Sequence, residues 1–218
     1  MSPEGFSDTL PAVDGRAAAS GLRVVRAAGL REIAWKNGGG VTREIAIHPE
    51  GAGMDDFLWR ASAADIDAPG PFSRWEGFDR VLFVTRGGPV RLAREDTGQS
   101  VVLSAGQGFC FAGETPYRCD ELSGGPVRDF NLMLRRSRAL GRVQAWRGSL
   151  VRHLAPGHWL CHGYRGTYEF EISDRSGRDV LEAGDTAHLS VASGEHPILR
   201  MVPRSNDAGL IIAWIEAA

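Results

Sequence analysis

The chain has 218 residues, 43% hydrophobic and 24% charged, enough to bury one or two cores. Its net charge of −2 gives no overall attraction to nucleic acid or to an anionic membrane surface. No apolar run approaches the roughly 18 residues of a membrane span, and residues 1–10 lack the basic start and apolar stretch of a secretory signal. The expectation is a soluble, cytoplasmic protein.

Residues 1–20 are rich in Ala, Gly, Ser and Asp without a period, which predicts a flexible N-terminal tail. From Leu22 onward, short apolar or alternating runs recur about every ten residues between Gly, Pro, Asp and Asn. They fall at 22–27, 41–48, 57–64, 81–85, 90–94, 100–103, 108–111, 128–134, 150–154, 157–162, 168–173, 187–191, 198–202 and 209–215. Many short strands at this spacing predict an all-β barrel or sandwich. The best helical candidate is 137–146, a connector between two halves.

An internal repeat supports two halves. Leu103-Ser-Ala-Gly106, a strand, then Gly113-Glu-Thr-Pro116 is matched by Leu181-Glu-Ala-Gly184, a strand, then Gly194-Glu-His-Pro197. A hairpin is expected before each copy, over 81–94 and over 168–173 with a turn at 174–177. The predicted organisation is a tail over 1–20, a first cupin-like barrel over 21–136 and a second over 137–218.

Four segments could carry chemistry. Lys36 is the sole lysine, and it sits in Trp35-Lys36-Asn37-Gly38-Gly39-Gly40, where glycine amides could cradle an anion or merely close a hairpin. Alternation then places Arg43 with Val41, Ile45 and Ile47 on an apolar face, which would carry it into a barrel interior. In 57–64, Arg60 and Ser62 share one face. In 70–82, aromatic residues interleave with Pro, Gly and the pair Asp79-Arg80. In 129–136, Phe130, Leu132 and Leu134 form one face, and Asp129, Asn131, Met133 and Arg135 form the other. Asp and Asn are disfavoured within strands, so that polar face fits a partly buried interior whose groups need partners.

No His-x-His occurs, His48 ends a strand, and His158 and His162 lack a matching carboxylate, so no metal is expected. Ser62 and Ser73 lack a Gly-x-Ser-x-Gly elbow. Cys110, Cys119 and Cys161 have no CxxC spacing and read as buried free thiols.

Taken in this order, four segments resemble the HutD/Ves family over about 22–214. They are Trp35-Lys36-Asn37-Gly38-Gly39-Gly40-x-Thr42-Arg43-Glu44-Ile45, Trp59-Arg60-x-Ser62, Gly70-Pro71-Phe72-Ser73-x-x-x-Gly77-x-Asp79-Arg80 and Asp129-Phe130-Asn131-Leu132-Met133-x-Arg135-Arg136. The resemblance implies a bicupin, a link to bacterial histidine utilization, no settled reaction and a small acidic ligand. The expected ligand is a carboxylate metabolite such as urocanate or formylglutamate, bound in the first barrel for sensing or buffering. An isomerase or hydrolase using Asp79, Asp129 or Glu44 as base is the alternative. Trp35, Lys36, Asn37, Gly38, Gly39, Arg43, Arg60, Ser62, Asp79, Arg80, Asp129, Asn131 and Arg135 are expected to line one pocket, with Arg60 the principal anchor. No cofactor, nucleic acid or membrane is expected, and a homodimer is a possible assembly.

Overall fold

The structure, a computed structural model, describes residues 21–174 and 176–217. The tail expected over 1–20, and Arg175 in the turn expected at 174–177, lie outside the described residues. In chain order the strands begin with β1 (Gly21–Val25), β2 (Glu32–Ala34), β3 (Gly40–His48), β4 (Trp59–Ile66) and β5 (Gly70–Pro71). Next come β6 (Phe78–Arg86), β7 (Val90–Arg94), β8 (Ser100–Leu103), β9 (Gly108–Ala112) and β10 (Tyr117–Leu122). Then follow β11 (Val127–Arg135), β12 (Ala139–Trp146), β13 (Leu150–His153), β14 (Gly157–Arg165) and β15 (Tyr168–Ile172). The last are β16 (Asp179–Leu181), β17 (Thr186–Val191), β18 (Ile198–Pro203) and β19 (Gly209–Ala217). Among the described residues the only helical segment is a 3-10 turn, Ala27–Gly29.

The helix expected over 137–146 is corrected to β12, which pairs along its whole length with β19. Leu140, Arg142 and Gln144 are exposed while Ala139, Gly141 and Val143 are less so, a period of two. Ala, Leu, Arg and Gln are good helix formers, but propensity is worth only roughly tenths of a kcal/mol per residue, and the apolar run of β19 needs a strand partner, so pairing wins over local propensity.

The strands form four sheets, none closed on itself: β2-β3-β4-β11-β6-β9, β5-β10-β7-β8, β1-β17-β14-β19-β12 and β13-β18-β15-β16. The six-stranded sheet and the first four-stranded sheet share a core of Ile66, Leu82, Val84, Leu92, Leu103 and Val127. The five-stranded sheet and the second four-stranded sheet enclose another, around Tyr168, Phe170, Leu189, Met201 and Leu210. A third core joins the two large sheets back to back, through Trp59, Phe130, Leu132, Leu160, Ile211 and Ile215. The large sheets are therefore buried on both faces, which is why β19 reads as a nearly continuous apolar run and why β4 is buried along almost its whole length, its Arg and Ser included.

The two Leu-x-Ala-Gly turns occupy equivalent places. Each leads from a short strand of a four-stranded sheet, β8 or β16, into a strand of a large sheet, β9 or β17. Gly106 and Gly184 stand there at φ 92° and 98°, a region costly for other residues. The hairpin expected over 168–173 is β15 paired with β16. The one expected over 81–94 is corrected: β6 pairs with β11 and β9, and β7 with β10 and β8, so the chain changes sheets between them. β1 adds to the edge of the later sheet by pairing with β17, and Arg26 after it bonds Asp185 and Asp179.

Candidate functional site

Strand register lays the inner face of the six-stranded sheet out in rows. The first runs Ile47, Arg60, Met133, Arg80, Phe111 across β3, β4, β11, β6 and β9. The second runs Glu44, Ser62, Asn131, Leu82, Phe109. The third runs Thr42, Ala64, Asp129, Val84. The fourth pairs Gly40, Ile66 and Val127 at the apolar end. Alternation puts Arg60 with Ser62 in β4 and Asp129 with Asn131 in β11, the pairing of the two strands brings all four onto one face, and β6 adds Arg80.

The charges on that face are unequally matched. Arg60 donates from Nε to Glu44 Oε2 at 2.7 Å. Among the described residues no carboxylate forms an ion pair with Arg80, although Asp129 lies near enough to act on its charge. Its Nη1 donates to the Ser73 carbonyl at 3.2 Å, its Nη2 reaches Asn131 Oδ1 at 3.4 Å, and its buried Nε has no partner. The guanidinium lies over the rings of Phe72 and Phe111, 5.9 and 5.1 Å from their centroids, which holds it in place. Burial pulls Arg80 down to about 10, with the Asp129 charge opposing and Arg60 adding to the fall, so it stays cationic at neutral pH. Asp129 is 3% exposed, and its Oδ1 has no hydrogen-bond partner. Burial pushes its carboxyl up to about 7 despite the nearby Arg80 charge, with Asp65 adding to the rise.

Half-buried aromatic residues flank this polar set. Phe109, Phe111 and Tyr117 pack edge to face or stacked, with centroids 5.1–5.6 Å apart. Trp35 meets Phe72 edge-on and donates from Nε1 to Thr42 Oγ1 at 2.8 Å. Phe109, Phe111 and Tyr117 are absent from the sequence-based set. Their signal was an alternating Phe-x-Phe between two glycines, which reads equally well as ordinary core.

Several expected site residues are placed elsewhere. Arg43 pairs with Ala63 and so points to the outer face, while a register shift between Glu44 and Ala46 brings Ile47, but not Arg43, to the inner one. There it binds Glu32 and Asp65, and Asp65 also takes Arg128 at 2.5 and 2.6 Å. Those bonds, from Arg128 first, hold the Asp65 carboxyl down to about 2 against its burial. Asp79 lies across from Leu134 on the outer face and accepts from Arg136. Arg135 is committed to the Phe57 and Asp55 carbonyls and stacks on Phe78. The glycine run is a hairpin turn rather than an anion cradle: Gly38 N–H bonds the Trp35 carbonyl, and Gly39 N–H bonds Asn37 Oδ1. Lys36 is exposed on that turn.

Three histidines pack together with Trp59. At the seam between the large sheets, His48 stacks on Trp59 and meets His158 at 4.4 Å between centroids, and His158 Nδ1 lies 3.3 Å from His188 Nε2. Burial lowers His158 and His188 to about 4, with neighbouring His48 and Arg23 among the lesser causes. Among the described residues no group of three His, Cys, Asp or Glu side chains is arranged to hold a metal. Cys119 and Cys161 are buried as expected, but Cys110 is exposed because β9 is a sheet edge.

An open groove of about 420 Å³ lies on the last four-stranded sheet beside Glu171, Arg178 and Arg200. Arg178 and Arg200 already pair with Glu171 there, so the groove offers no unmatched charge. The inner face around Arg80 is the better candidate because its polar atoms lack partners.

Together these features define a class: an all-β, cupin-like protein with a partly unsatisfied arginine and carboxyl set between two of its sheets. The chain belongs to the HutD family, whose model matches residues 27–202. An "uncharacterized 21.2 kDa protein in hutC 3'region" of Pseudomonas putida is 40% identical over 165 residues, 76% of this chain and 84% of that protein. A crystal structure of a conserved protein of unknown function from Pseudomonas aeruginosa PAO1 is 31% identical and superposes with a TM-score of 0.80, covering 90% of this chain and all of that one. HutD from Pseudomonas fluorescens SBW25 is 27% identical, with a TM-score of 0.75 and the same coverage. At the level of fold alone, a cupin 2 conserved barrel domain protein from Leptotrichia buccalis, 13% identical, gives a TM-score of 0.54 over 84% of this chain and 92% of that one. Among the described residues no helix is long and apolar enough to cross a membrane.

Proposed function

We propose that this protein is a cytoplasmic bicupin that binds a small carboxylate metabolite of histidine degradation, as a sensor or buffer. The binding site is the inner face around Arg80, Asn131, Asp129 and Arg60. The observation that carries this reading is Arg80, a buried cation with no carboxylate partner and an unpartnered Nε. A buried cation without a counter-charge is costly, and a ligand carboxylate accepting from the guanidinium edge would supply the missing partner. This moves the principal anchor from Arg60, which Glu44 already neutralises, to Arg80. The histidine pathway is supported by the names of the family and of the P. putida relative. Formylglutamate and urocanate are the first ligands to test.

The test is a thermal-shift screen of both compounds, followed by calorimetry on the positive one. A ligand that binds the native state raises its melting temperature by mass action. Arg80→Ala should abolish the shift. Neither compound raising the melting temperature, or an undiminished shift in Arg80→Ala, would remove the basis for this reading.

A further inference from the structure

The proposed site holds a second incomplete group, and what it lacks narrows the chemistry of the ligand. Asp129 sits one row behind Asn131 and Ser62, with Ala64 and Val84 on either side. Its Oδ1 is buried and unpartnered. No ion pair joins it to Arg80, the cation nearest in kind, whose own Nε is also unpartnered. An ionised carboxylate beside a buried guanidinium would ordinarily close that pair with short, charge-assisted hydrogen bonds. Here the Arg80 Nε–H and Asp129 Oδ1, on the same face of the sheet, are both left without a hydrogen-bond partner.

Resting on the reading above, we propose that Asp129 works in this site as the uncharged acid, donating its proton to an oxygen of a ligand whose carboxylate is anchored on Arg80. The site would then recognise its ligand by one ionic contact and one neutral O–H donor. That combination selects a carboxylate, or a carboxylate with a neighbouring carbonyl, over amines and over uncharged alcohols.

The other charged and titratable groups of this region are Arg80 on β6, Arg60 and Asp65 on β4, and Glu44 on β3; Tyr117 and Cys119 on β10 pack into the core opposite. Glu44 is matched by Arg60, and Asp65 by Arg43 and Arg128 on the outer face. Asp129 is therefore the carboxyl group left without a basic partner. The tendency of burial to keep it protonated up to about pH 7 agrees with the donor role.

The role makes binding proton-linked. Above the Asp129 titration the free protein must take up a proton to bind, so affinity should fall about tenfold per pH unit. The experiment is calorimetric titration of the full-length protein with N-formylglutamate at pH 6, 7 and 8.5, in buffers of different ionisation heat. The carboxyl groups of this probe are fully ionised throughout that range. Wild type should bind about tenfold or more weakly at pH 8.5 than at pH 6, with proton uptake at the higher pH. Asp129→Asn keeps a donor of similar shape and should bind independently of pH. Infrared difference spectra of ligand-free wild type against Asp129→Asn should show a protonated carboxyl band at pH 6 that fades by pH 8.5.

Absence of binding at every pH would overturn both the site and this inference. Binding that is pH-independent in wild type, or absence of the carboxyl band, would overturn the inference alone.

Discussion

A buried arginine is expensive, and its cost identifies what it is for. Arg80 lies between two aromatic rings with no carboxylate to neutralise it, whereas Arg60, in the same row, has Glu44 at 2.7 Å. Removing each should therefore have unequal effects on ligand binding. Arg80→Ala should cost about 2–4 kcal/mol of binding free energy, the usual loss for a buried charged hydrogen-bond partner. Arg60→Ala should cost about 1 kcal/mol, since its charge is already matched. Calorimetry on the two variants checks the order, and a larger loss for Arg60→Ala would return the anchor to that residue.

Asp129 makes a separate prediction about stability. Its carboxyl group in the folded protein, at about 7, lies above its ordinary value of 3.8. The folded state thus binds the proton more tightly than the unfolded chain does. Stability falls as pH rises from about 4 to 7, and the penalty is complete above 7. Asp129→Asn removes a penalty of a few kcal/mol, so its melting temperature should exceed that of wild type at pH 8 and differ little near pH 4. Thermal melts of both proteins at the two pH values decide it.

Among the elements, the hairpin joining β2 to β3 shows how glycines in one run differ in purpose. A Cβ on Gly40 would stand 2.1 Å from the Asp65 carbonyl oxygen in the neighbouring β4. That backbone belongs to a central strand and cannot retreat without breaking its pairing with β11. Gly38 stands at φ 71° with open space around it. Gly40→Ala should therefore destabilise the protein by about 3 kcal/mol or more, through overpacking against fixed backbone. Gly38→Ala should cost only about 1–2 kcal/mol, the ordinary penalty of a left-handed conformation. Urea unfolding of both variants measures the difference, and equal losses would show that β4 can yield. β11 displays the other rule of these elements. Its two faces serve different masters, with Phe130, Leu132 and Leu134 in the seam core and Asp129 and Asn131 in the site.

At the level of the whole molecule, the seam between the two large sheets makes one cooperative body of four sheets. Residues from β3, β4, β6, β11, β14 and β19 share one buried core there. Unfolding either pair of sheets alone would expose that core, so calorimetry should show a single transition rather than two. Two resolved transitions would mean that the seam contributes little. The seam also sets the acid limit. His158 and His188, lowered to about 4 chiefly by burial, stay neutral when folded, whereas in the unfolded chain they take up protons near 6.5. Their contribution is complete above about pH 6.5 and is lost as pH falls toward 4. A His158→Gln/His188→Gln variant should flatten the fall in melting temperature across that window. An unchanged pH profile would show that other groups set the limit.

The sequence by itself determined the all-β class, the positions of most strands and the family. Period-two patterning and turn residues are local signals, and they put Arg60 with Ser62 on one face of β4 and Asp129 with Asn131 on one face of β11; the pairing of the two strands joined those faces. Tertiary structure decided the rest. The pairing of β3 with β4 set Arg43 against Ala63 on the outer face, and the register shift after Glu44 moved Ile47 to the inner one, which no alternation rule anticipates. Asp79 and Arg80 are adjacent in the chain and therefore face opposite sides of β6, a consequence the pairing of β6 makes visible. The edge needs of β19 made 139–146 a strand where local propensity allowed a helix. Which arginine would lack a partner depended on where carboxylates from distant strands came to lie: Glu44 beside Arg60, Asp65 between Arg43 and Arg128, and Asp129 near Arg80 but not paired with it. Charge matching is a property of neighbours in space, and only the folded arrangement of strands fixes who those neighbours are.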